Sequence, residues 1–181
     1  ERSGLEGKVA IVTGGAGGLG EAISLDLAAN GVRVALVDRD EDAVGRITAA
    51  LDDIDADSIV HIGDAREPDV LDELFAAAAE RWGRLDTLVN NAGATYMGPF
   101  EEIPEERWEE VMAVNVTAVH YLTVALLPLL RKRASAESPG RVLVVGSTSG
   151  MLLSGLPDVA YEASKAAVHQ LARHHAAELV S

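Results

Sequence analysis

The feature that most constrains the fold of this chain is a glycine-rich turn that directly follows a short apolar segment. Five glycines fall within residues 13–20, and the β-branched run Val9–Val12 precedes them. A helical pattern over Glu21–Ala29 follows the turn and is ended by Asn30-Gly31. Glycine allows a tight turn and a close approach of neighbouring backbone. The segment is therefore predicted to form a strand, a turn and a helix in that order.

The rest of the chain continues this alternation of apolar strands and helices. Four further strands are predicted at Val32–Val37, Ser58–Ile62, Leu85–Val89 and Arg141–Val145. Five further helices are predicted at Asp40–Leu51, Pro68–Trp82, Glu105–Val114, Val116–Arg133 and Asp158–Val180. The strands are continuous apolar runs, which is typical of a parallel sheet covered by helices on both faces. We predict a doubly wound α/β fold in a single domain over residues 1–181, since no linker or repeat interrupts the chain.

The composition argues against several classes of function. The net charge is −14, with 29 acidic and 15 basic residues, whereas binding to a phosphate backbone needs the opposite balance. We therefore expect no nucleic-acid partner. The chain has no cysteine, which excludes disulfides and thiolate metal sites. The five histidines show no chelating spacing, so we predict no metal site.

Hydropathy and the first residues of the chain predict the cellular location of the protein. The first four residues lack the apolar stretch of a signal peptide. The longest apolar run, Val119–Leu130, contains polar residues and a proline, and it is shorter than the roughly 20 residues that span a bilayer. We therefore expect a cytoplasmic protein with no membrane partner.

The glycine turn has the arrangement that a dinucleotide pyrophosphate requires. A helix that begins directly after the turn offers free backbone N–H groups and a partial positive charge to phosphate oxygens. Asp38 ends the second predicted strand, 18 residues after Gly20, where it could accept hydrogen bonds from the adenosine ribose. Its charge would repel a 2′-phosphate, so NAD is favoured over NADP. Arg39 could pair with such a phosphate, which keeps NADP as the alternative. A glycine turn and a strand-end acid also occur without any ligand.

Tyr161 and Lys165 are four residues apart in the last predicted helix. This spacing places a phenol and an ammonium on one face of a helix. A cation held beside a phenol favours the phenolate, and such a tyrosine can exchange a proton with an alcohol or a carbonyl. The same spacing also arises by chance, when a lysine stem packs on a ring at the surface.

Taken in order, these motifs resemble the classical short-chain dehydrogenase/reductase family over essentially the whole chain. The resemblance implies a Rossmann-like fold and an NAD(P)-dependent oxidoreductase that interconverts a secondary alcohol and a ketone. It rests on the glycine turn, on Asp64-Ala65, on Asn90-Asn91-Ala92-Gly93, on Asn115 and on Tyr161-x-x-x-Lys165. The cofactor-binding residues that it implies are Thr13, Gly14, Gly18, Leu19, Gly20, Asp38, Arg39, Asp64, Ala65, Asn91, Ala92, Gly93, Tyr161 and Lys165.

The resemblance also implies four catalytic residues, Asn115, Ser147, Tyr161 and Lys165. Tyr161 would be the general acid/base, and Lys165 would stabilise its phenolate and hold the nicotinamide ribose. Ser147 would hydrogen-bond the substrate oxygen and stabilise developing charge. Asn115 would hold a water that passes protons toward Lys165. Gly146 stands where the family usually has a first serine, and Ser149 remains the alternative to Ser147.

The segments around these residues predict an apolar substrate. Thr95–Met97 and Met151–Leu153 are mainly apolar and contain no cation that could anchor a carboxylate or phosphate. A 3-oxoacyl, steroid-like or other apolar alcohol or ketone fits them, although they could also simply pack the loops. Two segments, Leu127–Gly140 with its Arg-rich connection and Val168–Leu171, are similar to some 3-oxoacyl-thioester reductases of the family, including those linked to rhamnolipid synthesis. Asp38 does not suit the NADPH of a biosynthetic reductase.

The resemblance finally bears on assembly and completeness. Family members form homodimers or homotetramers through helices that correspond here to Val116–Arg133 and Asp158–Val180. Family members also continue through two more strands and a substrate-covering loop, so we expect C-terminal strands to be missing from this chain. A non-catalytic cofactor-binding or scaffold protein of the same fold remains the alternative to an enzyme.

Overall fold

The computed structural model describes residues 4–179 and confirms the predicted parallel α/β architecture. Its five strands are β1 (Val9–Thr13), β2 (Arg33–Asp38), β3 (Ser58–Ile62), β4 (Thr87–Asn90) and β5 (Arg141–Val144). They form one sheet in the order β3-β2-β1-β4-β5. β1 pairs in parallel with both β2 and β4, and β2 pairs in parallel with β3. The chain thus moves outward from β1 to β3 and then returns to the other side of β1, as in a Rossmann-like doubly wound sheet.

In the described part of the chain, six α-helices connect and follow the strands. They are α1 (Gly18–Ala29), α2 (Glu41–Asp53), α3 (Pro68–Trp82), α4 (Glu105–Met112), α5 (Ala118–Arg131) and α6 (Val159–Leu179). Asp40, the first residue of the predicted helix Asp40–Leu51, caps α2, because its carboxylate accepts a hydrogen bond from the Ala43 N–H at 2.9 Å. Gly83 ends α3 in the left-handed conformation, as glycine commonly does. The last residue of the predicted helix Asp158–Val180 lies outside the described residues.

The predicted break between two helices at Asn115 is wrong. The structure joins α4 to α5 through a π-helical turn over Ala113–Thr117, so that residues 105–131 form one continuous helical stretch. β-branched residues flank Asn115 and lower helix propensity, but the Asn115 side chain bonds to Ala94 and Ser164, and the helical stretch continues through the π turn.

The continuous stretch also corrects the expectation drawn from Val119–Leu130 alone. Among residues 4–179 it is the one helix whose length and hydropathy would suit a membrane span. Core helices meet the same criterion, and Val111, Leu122 and Leu126 on this stretch are almost fully buried. The finding is therefore weak evidence for a span, and the absence of a membrane partner stays a prediction.

The described chain divides into two compact units. The first contains the residues up to Ala92 together with Thr123–Leu143, and the second contains Gly93–Leu122 together with the residues from Val144 onward. The single domain expected over residues 1–181 stays a prediction.

The core of the first unit is built on β1 and β2. Every residue of β1 is buried, and so are Val34–Val37 of β2. Ile47 and Leu51 of α2 pack onto this sheet with no exposed surface. Strands buried on both faces need continuous apolar runs, which explains why they do not alternate with polar residues. This rigid centre places the ends of β1, β2 and β4 where the loops described below begin.

Candidate functional site

The glycine turn lies where the strand order reverses, at the carboxyl ends of β1 and β4. Thr13 and Asn90 are paired at those two ends. Gly14 follows with a φ of 60°, in the left-handed region. A Cβ at position 14 would lie 2.8 Å from the Ala92 Cα, which no real side chain tolerates. Open α/β sheets bind ligands at such a switch point, and glycine is required here for the approach of two loops.

Thr13 and Asn91 fasten the turn to the segment that follows β4. The Thr13 hydroxyl oxygen accepts hydrogen bonds from the backbone N–H groups of Asn91 at 3.2 Å and Ala92 at 3.1 Å. The Asn91 side-chain amide donates to the carbonyls of Thr13 at 3.1 Å and Gly14 at 2.7 Å. Four predicted cofactor residues are therefore held together by direct bonds. Gly93, the next residue along the chain, is exposed.

The start of α1 has the features of an anion site. Its N-cap, Gly17, makes no side-chain capping bond, so nothing from a cap side chain covers the N–H groups of the first turn. Gly18 has a φ of 54°, and Leu19 is 59% exposed. A Cβ on Gly20 would overlap the carbonyl oxygen of Gly14. The turn therefore packs tightly on its inner side and leaves its outer side open to a pyrophosphate.

Ser24 supports the same turn from within α1, although no motif in the sequence singles it out. Its side chain is fully buried and its hydroxyl donates to the Gly15 carbonyl at 3.0 Å. The Gly15 N–H donates in turn to the Val37 carbonyl at 3.2 Å. Only the folded structure brings this serine beside the glycines, so the sequence offered no signal for it.

The Asp38 carboxylate lies against the glycine turn. One oxygen accepts a hydrogen bond from the Ala16 N–H at 3.0 Å, and the other accepts one from the Asp40 N–H at 3.2 Å. These bonds fix the carboxylate at the end of β2 and still leave lone pairs that could accept from ribose hydroxyls. A negative charge held beside the turn is the arrangement that disfavours a 2′-phosphate.

The loop after β3 carries a second fixed carboxylate. Asp64 receives two parallel bonds from the Arg66 guanidinium, at 3.0 Å and 2.6 Å. The hydrogen bond from Arg66, opposed by partial burial and assisted by the charge of Arg39, lowers the pKa of Asp64 below its usual value. Arg39 therefore lies close enough to Asp64 to interact with it electrostatically. Ala65, between the two partners, is buried.

Asn90 supports the interpretation that this end of the sheet receives a ligand. Its side chain is 3% exposed, yet within residues 4–179 neither its Oδ1 nor its Nδ2 has a hydrogen-bond partner. An unpaired buried amide costs about 1–3 kcal/mol, so partners from outside the chain are expected. The uncapped start of α1, the crowded glycines and this amide together fit a dinucleotide.

In the second unit, α6 holds Tyr161 and Lys165 one turn apart. The Lys165 ammonium lies 5.6 Å from the centre of the Tyr161 ring and donates to the Val145 carbonyl at 2.7 Å. Lys165 is only 4% exposed, and this burial lowers the pKa of its ammonium below its usual value. The lysine is thus a buried cation beside a half-buried phenol, unlike a stem packed at the surface.

Asn115 is a buried cross-link between three segments of the second unit. Its Nδ2 donates to the Ala94 carbonyl at 2.9 Å and to the Ser164 hydroxyl at 2.8 Å, and its Oδ1 accepts from the Ala94 N–H at 2.8 Å. The Ser164 hydroxyl donates to the Tyr161 carbonyl at 2.7 Å. Both side-chain N–H groups of Asn115 are therefore committed to the protein. A water at this residue would therefore have to donate to an oxygen of Asn115. In the π turn the backbone carbonyls bond to the fifth residue along the chain instead of the fourth.

The serine segment begins directly after β5. Ser147 caps the short 3₁₀ turn Thr148–Gly150, because its hydroxyl oxygen accepts from the Ser149 N–H at 3.2 Å. That bond uses a lone pair and leaves the hydroxyl proton of Ser147 free to donate. A Cβ on Gly150 would lie 2.6 Å from the Lys165 backbone, so the turn packs directly on α6. Neither serine is excluded by this geometry, and the choice of Ser147 stays a prediction.

A cleft of ≈590 Å³ opens beside the start of α6 in the second unit. Its apolar lining comes from Pro99, Phe100, Leu156, Pro157 and Val159, and its charged lining consists of Glu101, Asp158 and Glu162. Within residues 4–179, no lysine or arginine lines it. The predicted apolar segments nearby along the chain are exposed, with Met97 at 58% and Leu153 at 91%. Such a surface suits a neutral apolar ligand better than an anion.

Each unit therefore gathers part of the predicted residue set. The first collects Thr13, Gly14, Gly18, Leu19, Gly20, Asp38, Arg39, Asp64, Ala65, Asn91 and Ala92, and the second collects Gly93, Asn115, Ser147, Tyr161 and Lys165. The sequence did not point to Ser24, which bonds to Gly15 of the glycine turn, or to Ser164 and His169, which bond to Asn115 and Ser147. Within the described residues, no group of three or more metal-ligating side chains occurs.

Comparison with known proteins gives the same family throughout. The model of the short chain dehydrogenase family matches residues 8–181. A rhamnolipids biosynthesis 3-oxoacyl-(acyl-carrier-protein) reductase from Pseudomonas aeruginosa is 43% identical over 182 residues, which cover 97% of this chain and 68% of that protein. A solved Pseudomonas aeruginosa RhlG/NADP active-site complex has a TM-score of 0.89 and 41% identity, covering 97% of this chain and 68% of its own. A solved NAD⁺-bound xylitol dehydrogenase has a TM-score of 0.87 and 25% identity, covering 98% and 67%.

Proposed function

The chain belongs to the short-chain dehydrogenase family of NAD(P)-dependent oxidoreductases, and from that premise we propose that it interconverts a neutral, apolar secondary alcohol and the corresponding ketone. The single observation that carries the proposal is the Tyr161–Lys165 pair, with the lysine buried and its ammonium 5.6 Å from the phenol ring. A surface pairing would leave the ammonium in water, where it would influence the phenol far less.

Tyr161 is the proton-transfer group in this proposal. In the oxidative direction its phenolate takes the hydroxyl proton of the alcohol, and in the reductive direction its hydroxyl returns a proton to the carbonyl oxygen. The nicotinamide, when bound, accepts or supplies the carbon-bound hydrogen together with its electron pair as hydride. Lys165 stabilises the phenolate through its positive charge. Ser147 donates its free hydroxyl proton to the substrate oxygen and stabilises the charge that develops there.

Asn115 and Ser164 position these groups. Asn115 joins the π turn to Ala94 and to Ser164, and Ser164 lies on α6 between Tyr161 and Lys165. We assign to the backbone and side-chain oxygens of Asn115 the water that relays protons toward Lys165, because both of its side-chain N–H groups are already used.

For the cofactor we favour NAD over NADP. Gly14, Gly18, Leu19 and Gly20 would hold the pyrophosphate, and Asp38 the adenosine ribose. Asp64 and Ala65 would contact the adenine, Asn91, Ala92 and Gly93 would lie along the cofactor, and Tyr161 and Lys165 would hold the nicotinamide ribose. The fixed carboxylate of Asp38 supports NAD, whereas Arg39 and the NADP in one similar solved structure favour NADP.

For the substrate we propose a neutral apolar compound of the 3-oxoacyl or steroid-like kind. The three carboxylates of the cleft would repel an anionic group, and its apolar residues would contact a hydrocarbon chain or ring. The 43% identical relative is named for action on a 3-oxoacyl thioester, which supports a 3-oxoacyl chain. We further propose a cytoplasmic homodimer or homotetramer that lacks membrane and nucleic-acid partners.

The proposal is tested with purified full-length protein and a panel of neutral secondary alcohols and ketones, each with NAD(H) and NADP(H). Oxidation or reduction of the nicotinamide is followed by absorbance. We expect turnover with apolar members of the panel and none with their carboxylated analogues. Cofactor binding without turnover of any substrate would instead favour a cofactor-binding or scaffold protein of the same fold.

A further inference from the structure

A histidine of α6 lies against the serine segment and was not assigned by any motif. His169 follows Lys165 by four residues, so the two side chains lie one turn apart on the same helix face. The Ser147 backbone N–H donates a hydrogen bond to the His169 Nε2 at 3.2 Å. The ring nitrogen must offer its lone pair to accept this bond, so the ring proton of the neutral imidazole is on Nδ1.

The same ring fills the space beside Gly146. A Cβ at position 146 would overlap the His169 Nε2 and would lie 2.8 Å from its Cδ2. A serine at this position, where the resembling family usually has one, could fit only if the imidazole moved away. Because the ring is the end of a side chain, it can move, but it would then leave the Ser147 N–H.

Two side chains of α6 therefore hold the backbone on both sides of Gly146. Lys165 binds the Val145 carbonyl at 2.7 Å, and His169 binds the Ser147 N–H at 3.2 Å. Glycine has more backbone freedom than any other residue, so a glycine directly before the serine would loosen it unless its neighbours were fixed. His169 fixes the backbone after Gly146, and the absence of a Cβ on Gly146 leaves the space that the imidazole ring occupies.

We propose that His169 is a positioning residue for Ser147 and that Gly146 and His169 act as one coupled pair. This inference rests on the proposed function, because there the Ser147 hydroxyl binds the substrate oxygen. His169 acts through the Ser147 backbone and need not touch the substrate. Losing its hydrogen bond lets the serine segment shift, and a misplacement of about 1 Å in an active site can cost about 100-fold in rate.

The test is a double-mutant cycle with a conservative rescue. His169→Ala and Gly146→Ala should each lower kcat by about 10- to 100-fold while leaving the KM for the cofactor unchanged. The double variant should be no slower than His169→Ala, because both changes remove the same hydrogen bond. His169→Gln should recover most of the activity, since its side-chain carbonyl can accept from the Ser147 N–H. His174→Ala, an exposed site on the same helix, is the matched control and should behave like the parent protein.

A second readout does not depend on turnover. Hydrogen exchange of the Ser147 amide should be slow in the parent protein and in His169→Gln, and faster in His169→Ala and Gly146→Ala. Unchanged exchange in His169→Ala, or additive losses of kcat in the double variant, would overturn the coupled pair. Faster exchange with unchanged kcat would overturn the positioning role. If the parent protein shows no turnover at all, the proposed function fails, and the exchange data still decide whether His169 holds Ser147.

Discussion

The ammonium of Lys165 donates a hydrogen bond to the backbone carbonyl of Val145, at a distance of 2.7 Å. This bond joins the helix that carries Tyr161 to the segment that carries Ser147. Lys165 therefore has two tasks in one buried position, because its charge acts on the phenol and its N–H fixes the serine segment. Its lowered pKa reflects the burial that this position requires.

Replacement of Lys165 should therefore lower kcat even in a variant that still folds. Lys165→Met keeps the stem but removes both the charge and the donor. We expect kcat to fall by about 100-fold or more, because general acid/base catalysis contributes roughly 10²–10⁴-fold. Steady-state kinetics measures this loss, and circular dichroism checks that the variant is folded. A folded Lys165→Met variant with at least a third of the parent kcat would show that the ammonium is not needed.

The cofactor preference should depend on Asp38 and not on its neighbour Asp40. Asp38→Ala removes the charge beside the glycine turn, so the ratio of the NAD and NADP dissociation constants should shift toward NADP by about tenfold or more, or about 1.4 kcal/mol. Asp40→Ala is the matched control, because it removes the cap of α2 and should cost about 1 kcal/mol of stability with no change in that ratio. Titration calorimetry measures the dissociation constants for NAD and NADP in each protein, and denaturant unfolding measures the stability of Asp40→Ala. Tighter binding of NADP than of NAD by the parent protein would contradict the role given to Asp38.

A glycine-to-alanine substitution should impair dinucleotide binding and stability in the glycine turn but not on the exposed surface of α2. Gly20→Ala places a Cβ on the Gly14 carbonyl oxygen, so we expect weaker dinucleotide binding by about tenfold or more and a loss of about 1–3 kcal/mol in stability. Gly45→Ala lies in α2 with nothing near its Cβ, and it should stabilise the protein by roughly 0.5–1 kcal/mol without changing binding. Denaturant unfolding and cofactor titration compare the two. Equal behaviour of the two variants would refute the packing described for the turn.

The pair His120 and His175 should make stability fall on acidification. The His120 Nδ1 and the His175 Nε2 lie 3.1 Å apart, so one of them must be unprotonated for the rings to bond. Burial, and then the charges of His120 and His174, lower the pKa of His175 below its usual value of 6.5. A histidine with a depressed folded-state pKa contributes stability that is present above its unfolded-state pKa and is lost as the pH falls through the folded-state value.

The measurement is the free energy of unfolding of the parent protein and His175→Gln, from urea titrations at about pH 7.5 and pH 5. The parent should lose more stability between the two pH values than the variant does, because only the parent carries the titrating ring. The carboxylates titrate in both proteins and cancel in the comparison. Identical losses in the two proteins would show that this pair does not contribute.

Much of the fold could be predicted from the sequence because its signals are local. The Asp40 cap, the Gly83 helix end and the bounds of β3 and α3 depend on residues that are neighbours along the chain. The helix break predicted at Asn115 was wrong because the interactions that decide it are not local. Its side chain bonds to Ala94 and Ser164, which are distant in sequence, and this tertiary network keeps the helix continuous.

The same distinction applies to the candidate site. Tyr161 and Lys165 share a helix, so their spacing alone predicts that they are close. From the sequence, Gly146 was only a departure from a family pattern, and His169 was one of five histidines without chelating spacing. Their relation appears only when α6 lies against the segment after β5, because 22 residues separate Ser147 from the ring that binds its N–H. Ser24 was missed for the same reason.

The most direct test of the central claim, that Tyr161 transfers the proton, is the kcat of Tyr161→Phe with the best substrate found in the panel. The variant differs from the parent protein by one hydroxyl and should keep its fold and its cofactor affinity. We predict a fall in kcat of at least about 100-fold, with the dissociation constant for the dinucleotide changed by less than about threefold. A folded variant that retains near-parent kcat would contradict the account.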